Sequence, residues 1–498
     1  MGIFVEDIED LEAFQNRFMF REDHEELPTV RITRVVLENF KSVKYGEIDF
    51  YCGKHFVPYG TKSDILGVYG QNGSGKTSLI EALSILERLM SGARVPDVYA
   101  DCISVGADSS TLSFSFQLQY PDGEIRELEY TFSMKKEMLS KEELEDRYKY
   151  APADYDIPET GYKVCIFNEL FRMNRKDANK KVVMIKQDII DTSIEDLPFS
   201  PAHKLEELIG KDKNGIIKLA VAKNNALLQS RSFIFCKDTL KAFKESGLYS
   251  LAFQTLIEMR YFASMFFFVV DTKSSGFIRL NFLMPIYTRT GLMQFDVRNP
   301  EVIPDEALEH FQYDVSRLSD VLGELVPGLS IGFKKISDTL TKDGKHGNIV
   351  MLMANRDGVE LPLRDESDGV RKIISVLSLL IAAYNDQSFT LAIDEFDAGI
   401  FEYLLGEILQ TLEESGKGQF IFTSHNLRPL EVIDKKFLVF TTTNPNNRYF
   451  RLKSIGKTNN LRDSYFREII LGEQEEEIYN KTKKFKIVAA LRKAGIEE

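Results

Sequence analysis

Apolar residues along this chain gather in short unbroken runs separated by stretches of helical period. Residues 65–69 (Ile-Leu-Gly-Val-Tyr) read as a short buried strand, and Leu79, Leu83, Leu86 and Met90 then recur at helical spacing. Some 300 residues later, residues 388–393 form a second apolar run that ends in Asp394 and Glu395. Residues 419–423 form a third, which ends in Ser424 and His425. The distance between these two runs suits one crossover helix over 402–412, so they are expected to lie parallel, with His425 beside Glu395. An apolar helix is predicted over 373–384, and residues 437–440 and 449–452 read as strands before a helical tail. The alternation predicts an α/β chain. From about 140 to 340 the pattern changes: 135–150 is charge-dense, 204–266 reads mostly as helices, and no long heptad run occurs.

Length and composition narrow the class. The 498 residues allow two or more structural units, and 43% hydrophobic with 28% charged residues is ordinary for a globular protein. A formal net charge of −13 disfavours a protein that coats nucleic acid nonspecifically, because that binding needs a basic surface. Cys52, Cys102, Cys165 and Cys236 are scattered without metal-ligand spacing and read as buried thiols in a reducing compartment. The acidic N-terminus lacks the order of a secretory signal, and Glu6-Asp7 stands where a myristoylation pattern wants Ser or Thr. The most apolar run, 262–270, is too short for a membrane helix. A cytoplasmic location with no membrane partner is expected.

The segment between the first strand and first helix carries the strongest chemistry. Gly70-Gln71-Asn72-Gly73-Ser74-Gly75-Lys76-Thr77 fits G-x-x-x-x-G-K-[ST] at every fixed position, in the order strand, glycine loop, helix that the motif requires. Glycines let successive N–H groups turn toward phosphate at a helix N-terminus whose dipole also favours anions. The expected ATP contacts are Gly70, Asn72, Gly73, Ser74, Gly75, Lys76, Thr77 and Ser78, with Lys76 on the β and γ phosphates and Thr77 on Mg2+.

A metal-binding acid is then sought at the end of an apolar strand. Asp394 is the expected second Mg2+ group and Glu395 the general base that polarises the attacking water. Upstream, Ser367 and Gly369 stand at the start of the apolar helix, where they suit capping and close approach to an anion. The phenylalanines of 233–235 and 266–268 are expected in the core rather than as base-stacking platforms, and the basic clusters 172–181 and 481–486 as solvated faces.

In this order the motifs resemble the ABC-type ATPase fold, in its chromosome-maintenance, recombination-repair and OLD-type branch. Residues 31–49 look like that branch's opening strand and its Asn-Phe-Lys-Ser turn, which adds Lys41 and Ser42 to the nucleotide contacts the resemblance implies. Gly70 to Thr77 matches the Walker A loop, Asp394-Glu395 the Walker B pair and His425 the switch histidine, while Ser367-Asp368-Gly369 looks like a diverged LSGGQ signature. Within the branch the chain looks most like bacterial AAA-type ATPases of abortive-infection operons, including PARIS-like phage-defence systems. Residues 366–369, 394–400 and 222–228 carry that likeness. The chain departs from the pattern at Asp368, which replaces a signature glycine, and at Phe401, which holds the usual D-loop aspartate position. Gln117 and Gln119 both stand as candidates for the Q-loop glutamine.

The resemblance implies an ABC-type head with a mainly helical insertion, divided as an N-terminal lobe (1–138), a partner-contact insertion (139–340) and a C-terminal lobe (341–498). It also implies ATP with Mg2+ as cofactors, catalysis by Lys76, Glu395 and His425, and a homo-oligomer, at least a dimer, that closes composite ATP sites through Ser367 and Gly369. A separate effector, a nuclease, is the expected partner, and a nucleic acid or phage protein the expected trigger. The alternative is a repair or chromosome-type ATPase acting directly on DNA.

Overall fold

The computed structural model describes residues 27–50, 64–148, 161–175, 182–187, 198–248, 250–271, 283–288, 291–341, 344–452, 462, 465, 477–479 and 483–494. Cys52, the first residues of the N-terminus and parts of both basic clusters lie outside them.

The chain opens with β1 (Thr29–Phe40) and β2 (Val43–Asp49), crosses to β3 (Asp64–Tyr69) and enters helix α1 (Lys76–Ser91). β4 (Ser110–Gln119) and β5 (Ile125–Met138) rejoin the first sheet; after α2 (Lys141–Tyr148), β6 (Tyr162–Arg175) and β7 (Val182–Gln187) extend it. Four helices follow: α3 (Ala202–Ile209), α4 (Lys213–Leu228), α5 (Lys237–Glu245) and α6 (Leu251–Met265), the last running straight into β8 (Phe267–Val270). Next come the hairpin β9 (Leu283–Thr288) and β10 (Gly291–Asp296), then β11 (Glu301–Pro304), α7 (Asp305–Leu325), β12 (Leu329–Leu340), β13 (His346–Arg356) and β14 (Val359–Pro362). The last part holds α8 (Asp368–Asn385), β15 (Thr390–Ile393), α9 (Glu402–Ser415), β16 (Gln419–Thr423), α10 (Pro429–Val432), β17 (Leu438–Thr441), β18 (Tyr449–Phe450) and α11 (Lys484–Ala494).

Two six-stranded sheets organise the site. The first, β2-β1-β4-β5-β6-β7, is antiparallel throughout. The second runs β18-β17-β3-β16-β15-β8 and is parallel from β17 to β8. All its parallel strands therefore end on the edge where the glycine loop begins, and loops at the carboxyl ends of parallel strands are where such sheets bind ligands. Strands buried on both faces read as unbroken apolar runs, which is why β15 and β16 were visible as such, while β8 lay unrecognised in the apolar run 262–270.

Helix α1 packs between the sheets and every residue except Thr77 is buried. A helix with one apolar stripe ordinarily keeps a solvent face; here Glu81, Glu87 and Arg88 are buried too, because α6 as well as β8 packs on the helix and Lys41 pairs with Glu81. Two side chains staple the sheets at the end remote from the loop. Arg31, buried on β1, donates from Nε to Asp64 of β3 at 3.0 Å, and Gln419 of β16 bonds both Ile32 N–H (3.1 Å) and Ile32 C=O (2.9 Å). The phenylalanines expected in the core are there: Phe233, Phe235, Phe267 and Phe268 are buried, and Phe268 stacks on Phe389 at 5.1 Å.

The segment expected as an insertion, 139–340, shares sheets with its flanks. Helices fill 202–265, yet β6 pairs with β5, β12 pairs with β13, and β8 is the neighbour of β15 in the P-loop sheet. Boundaries at 138 and 340 thus run through sheets. Strand partners are chosen by side-chain packing between distant segments, which leaves little local trace in sequence.

Candidate nucleotide site

Helix α1 starts without a side-chain cap: Gly75 stands at the N-cap in a left-handed conformation and no acidic residue occupies the first turn. Its leading N–H groups are thus left for an anion. Lys76 Nζ donates to the carbonyls of Gly70 (2.8 Å) and Gln71 (3.2 Å), which folds the loop around the ammonium. Burial pushes the Lys76 ammonium below the ordinary lysine range, and the charges of Asp394, Glu395 and Asp397 oppose that shift.

The loop is braced by side chains from β17, β18 and the β1-β2 turn. Ser74 Oγ lies 2.5 Å from Thr441 Oγ1 at the end of β17, and a Cβ on Gly70 would collide with that same hydroxyl. Tyr449 of β18 donates from its hydroxyl to Gly75 C=O at 2.6 Å. From the other side Ser42 Oγ donates to Gly73 C=O at 3.1 Å, while Arg448 Nη2 donates to Ser42 C=O at 2.5 Å. Lys41 is engaged elsewhere: its Nζ pairs with buried Glu81 at 2.6 Å.

The two half-sites meet across 317 residues of sequence. Thr77 Oγ1 lies 3.5 Å from Asp394 Oδ1, and Asp394 is fully buried at the end of β15. A carboxylate and a hydroxyl facing each other beside a phosphate loop form a hard-oxygen donor set that suits Mg2+. Thr423, last residue of β16, ties this corner together: its Oγ1 donates to Asp394 Oδ1 at 2.5 Å and accepts the Glu395 N–H at 2.8 Å. The parallel register of β15 with β16, in which Ile393 faces Phe422, brings Thr423 beside Asp394 and Glu395. Glu395 itself has φ 46°, the left-handed region.

His425 follows β16, and its main-chain N–H donates to Asp397 Oδ2 at 3.0 Å; Asn426 N–H donates to the same oxygen at 2.8 Å. Asp397 therefore fixes the turn that carries His425, a role with no signal in the sequence beyond its place three residues after Asp394. Lys372 of α8 was also missed. It is buried, and its Nζ donates to Glu395 C=O at 2.5 Å.

The remaining predicted residues fall into two groups. Ser367 caps α8, accepting from Val370 N–H at 3.4 Å; it is exposed, and no hydrogen bond joins it to residues 70–78 among the described residues. Gly369 packs on the backbone of Gly399, so its close approach is to protein. Gln117 and Gln119 are corrected as Q-loop candidates. They pair with Arg31 and Thr29, whereas the Lys41-Ser42 turn lies at the opposite end of β1, about 30 Å away at the rise of a strand. Cys102, Cys165 and Cys236 are buried and unbridged. No helix among the described residues is long and apolar enough to cross a membrane.

Sheet order, glycine loop and the Thr77-Asp394 apposition together have the arrangement of a P-loop nucleotide site on an α/β head. A family model described as "AAA domain" matches residues 34–246, and one described as "AAA domain, putative AbiEii toxin, Type IV TA system" matches residues 303–431. No curated protein matches the chain. Similar solved structures include the Smc head domain derived from Pyrococcus furiosus, bound to the C-terminal domain of ScpA, at 14% identity and TM-score 0.36, covering 89% of this chain and 99% of that one. The SMC head domain from Thermotoga maritima is similar at 13% identity and TM-score 0.32, covering 85% and 100%. The recombination mediator protein RecF with ATP is similar at 13% identity and TM-score 0.32, covering 80% and 94%.

Proposed function

We propose that this protein is an ATP-binding and hydrolysing switch subunit of a bacterial anti-phage defence complex, which closes composite ATP sites on oligomerisation and controls a separate effector nuclease. The observation that carries the ATPase part is the convergence of Lys76, Thr77, Asp394 and Glu395 at one edge of the parallel sheet, with Thr77 and Asp394 3.5 Å apart. The loop's N–H groups and Lys76 would hold the phosphates, and Thr77 and Asp394 would hold Mg2+, whose charge would stabilise the transferred phosphoryl group. Glu395 takes the proton of the attacking water, and His425, held by Asp397, stands by the same corner.

The match of 303–431 to a model whose description names the AbiEii toxin supports the defence setting. Exposure of Ser367, Phe401 and Tyr403 beside the Walker B turn supports a face that a second copy covers, Ser367 then serving the partner's nucleotide. Glu395→Gln tests the core of this reading: nucleotide stays bound and turnover falls by about 10²- to 10⁴-fold. Unchanged turnover removes Glu395 from the base role. Mixing Lys76→Ala with Ser367→Ala protein tests the composite site, which predicts partial recovery of activity.

A second reading, an ATPase acting directly on DNA, is favoured by one feature. Helix α11 is exposed along its whole length and carries Lys484, Lys486, Arg492 and Lys493. DNA affinity that falls steeply with salt selects this reading; no measurable affinity selects the partner-controlled switch.

A further inference from the structure

We infer that Lys372 is a positioning residue for Glu395, linking the helix capped by Ser367 to the general base of the same subunit. The inference rests on the reading of Glu395 as that base.

Glu395 occupies left-handed backbone space at φ 46°, which is unfavourable for a non-glycine residue and persists only where neighbours enforce it. Its peptide groups are held on both sides. The N–H donates to Thr423 Oγ1 at 2.8 Å, and the carbonyl accepts from Ala398 N–H at 2.9 Å and from Lys372 Nζ at 2.5 Å. Lys372 comes from α8, where it stands five residues after the Ser367 cap and three, about one turn, beyond Gly369.

A buried lysine is an expensive way to fill space. Burial pushes its ammonium down to about 8, and the charges of Asp397, Glu395 and Asp394 pull the other way. Methionine would fill the same volume at no such cost, so the retained charge answers to the carboxylates and to the carbonyl it grips. Gly369 against Gly399 makes a second joint between α8 and the same turn. With two joints, one at each end of residues 395–399, displacement of the first turn of α8 is passed to the backbone of Glu395. A ligand at Ser367 thereby gains a mechanical route to the base.

The test is a double-mutant cycle on the full chain. ATP affinity and single-turnover hydrolysis are measured for Lys372→Met, Glu395→Gln and the pair, with melting followed for each. Lys372→Met is expected to slow hydrolysis at least about tenfold with ATP affinity within about twofold, and to add nothing further in the Glu395→Gln background. Lys372→Arg, which keeps the charge and a donor, is expected to recover part of the rate. Multiplying effects in the double variant, or a Lys372→Met rate equal to wild type, overturns the inference. Should Lys372→Met not fold, the same cycle with Lys372→Gln carries the same two outcomes. Glu395→Gln alone with an unchanged rate refutes the base reading instead, so the two failures are distinct.

Discussion

Gly369 and Gly399 meet backbone to backbone: a Cβ on Gly369 would overlap the carbonyl oxygen of Gly399, and one on Gly399 would sit 3.1 Å from Gly369 Cα. Gly399 also has φ +78°, so an L side chain there is strained as well as crowded. Gly369→Ala must push the start of α8 away from the Walker B turn. Overpacking of this kind costs about 1–3 kcal/mol, and turnover is expected to fall further than that loss of stability explains. Denaturant melts beside steady-state hydrolysis check this; a variant with full turnover shows that the contact has no part in the chemistry.

Lys76 is a cation held in a buried loop. Its bonds to Gly70 and Gln71 carbonyls must be exchanged for phosphate oxygens when nucleotide binds. Lys76→Ala is expected to weaken ATP binding about 10²-fold, the size of losing one partner of a desolvated charge pair. Titration with a fluorescent ATP analogue measures it, and ADP is expected to lose less.

Thr423 serves two neighbours with one hydroxyl. Thr423→Val keeps the shape of the side chain but leaves the Glu395 N–H and one Asp394 oxygen without that partner. A cost of about 1–3 kcal/mol is expected, together with a higher Mg2+ concentration for half-maximal turnover. An unchanged Mg2+ requirement would separate Thr423 from the metal corner.

Glu169 offers a pH test of stability away from the nucleotide. It is fully buried, and burial pushes its carboxyl up to about 6, against the pull of bonds from Ser232 Oγ (2.7 Å), Phe233 N–H (2.7 Å) and other donors. A carboxyl whose folded value is raised contributes its stability below the unfolded value, and loses it as pH rises through the folded one. The stability difference between wild type and Glu169→Gln should therefore be largest near pH 4 and shrink by about 2 kcal/mol by pH 7. A difference that grows with pH has the wrong sign and would show that Glu169 is ionised at low pH in the fold.

Sequence alone determined the parts whose chemistry is local. A glycine loop between a strand and a helix needs its residues consecutive, so Gly70 to Thr77 was legible as it stood. Asp394-Glu395 and His425 were legible because β15 and β16 are buried on both faces and stop abruptly at polar residues. What only the tertiary structure decided is how those parts are held. Thr441 and Tyr449 brace the loop from 367 and 374 residues away, and Lys372 reaches the Glu395 carbonyl from another helix. No spacing rule links such residues, since each is placed by strand order and helix packing, and β8, which lies beside β15, comes from a stretch that reads as an insertion. The sequence names the candidate groups; the pairing of distant strands sets their distances, because close packing of the sheets fixes which side chains share an edge.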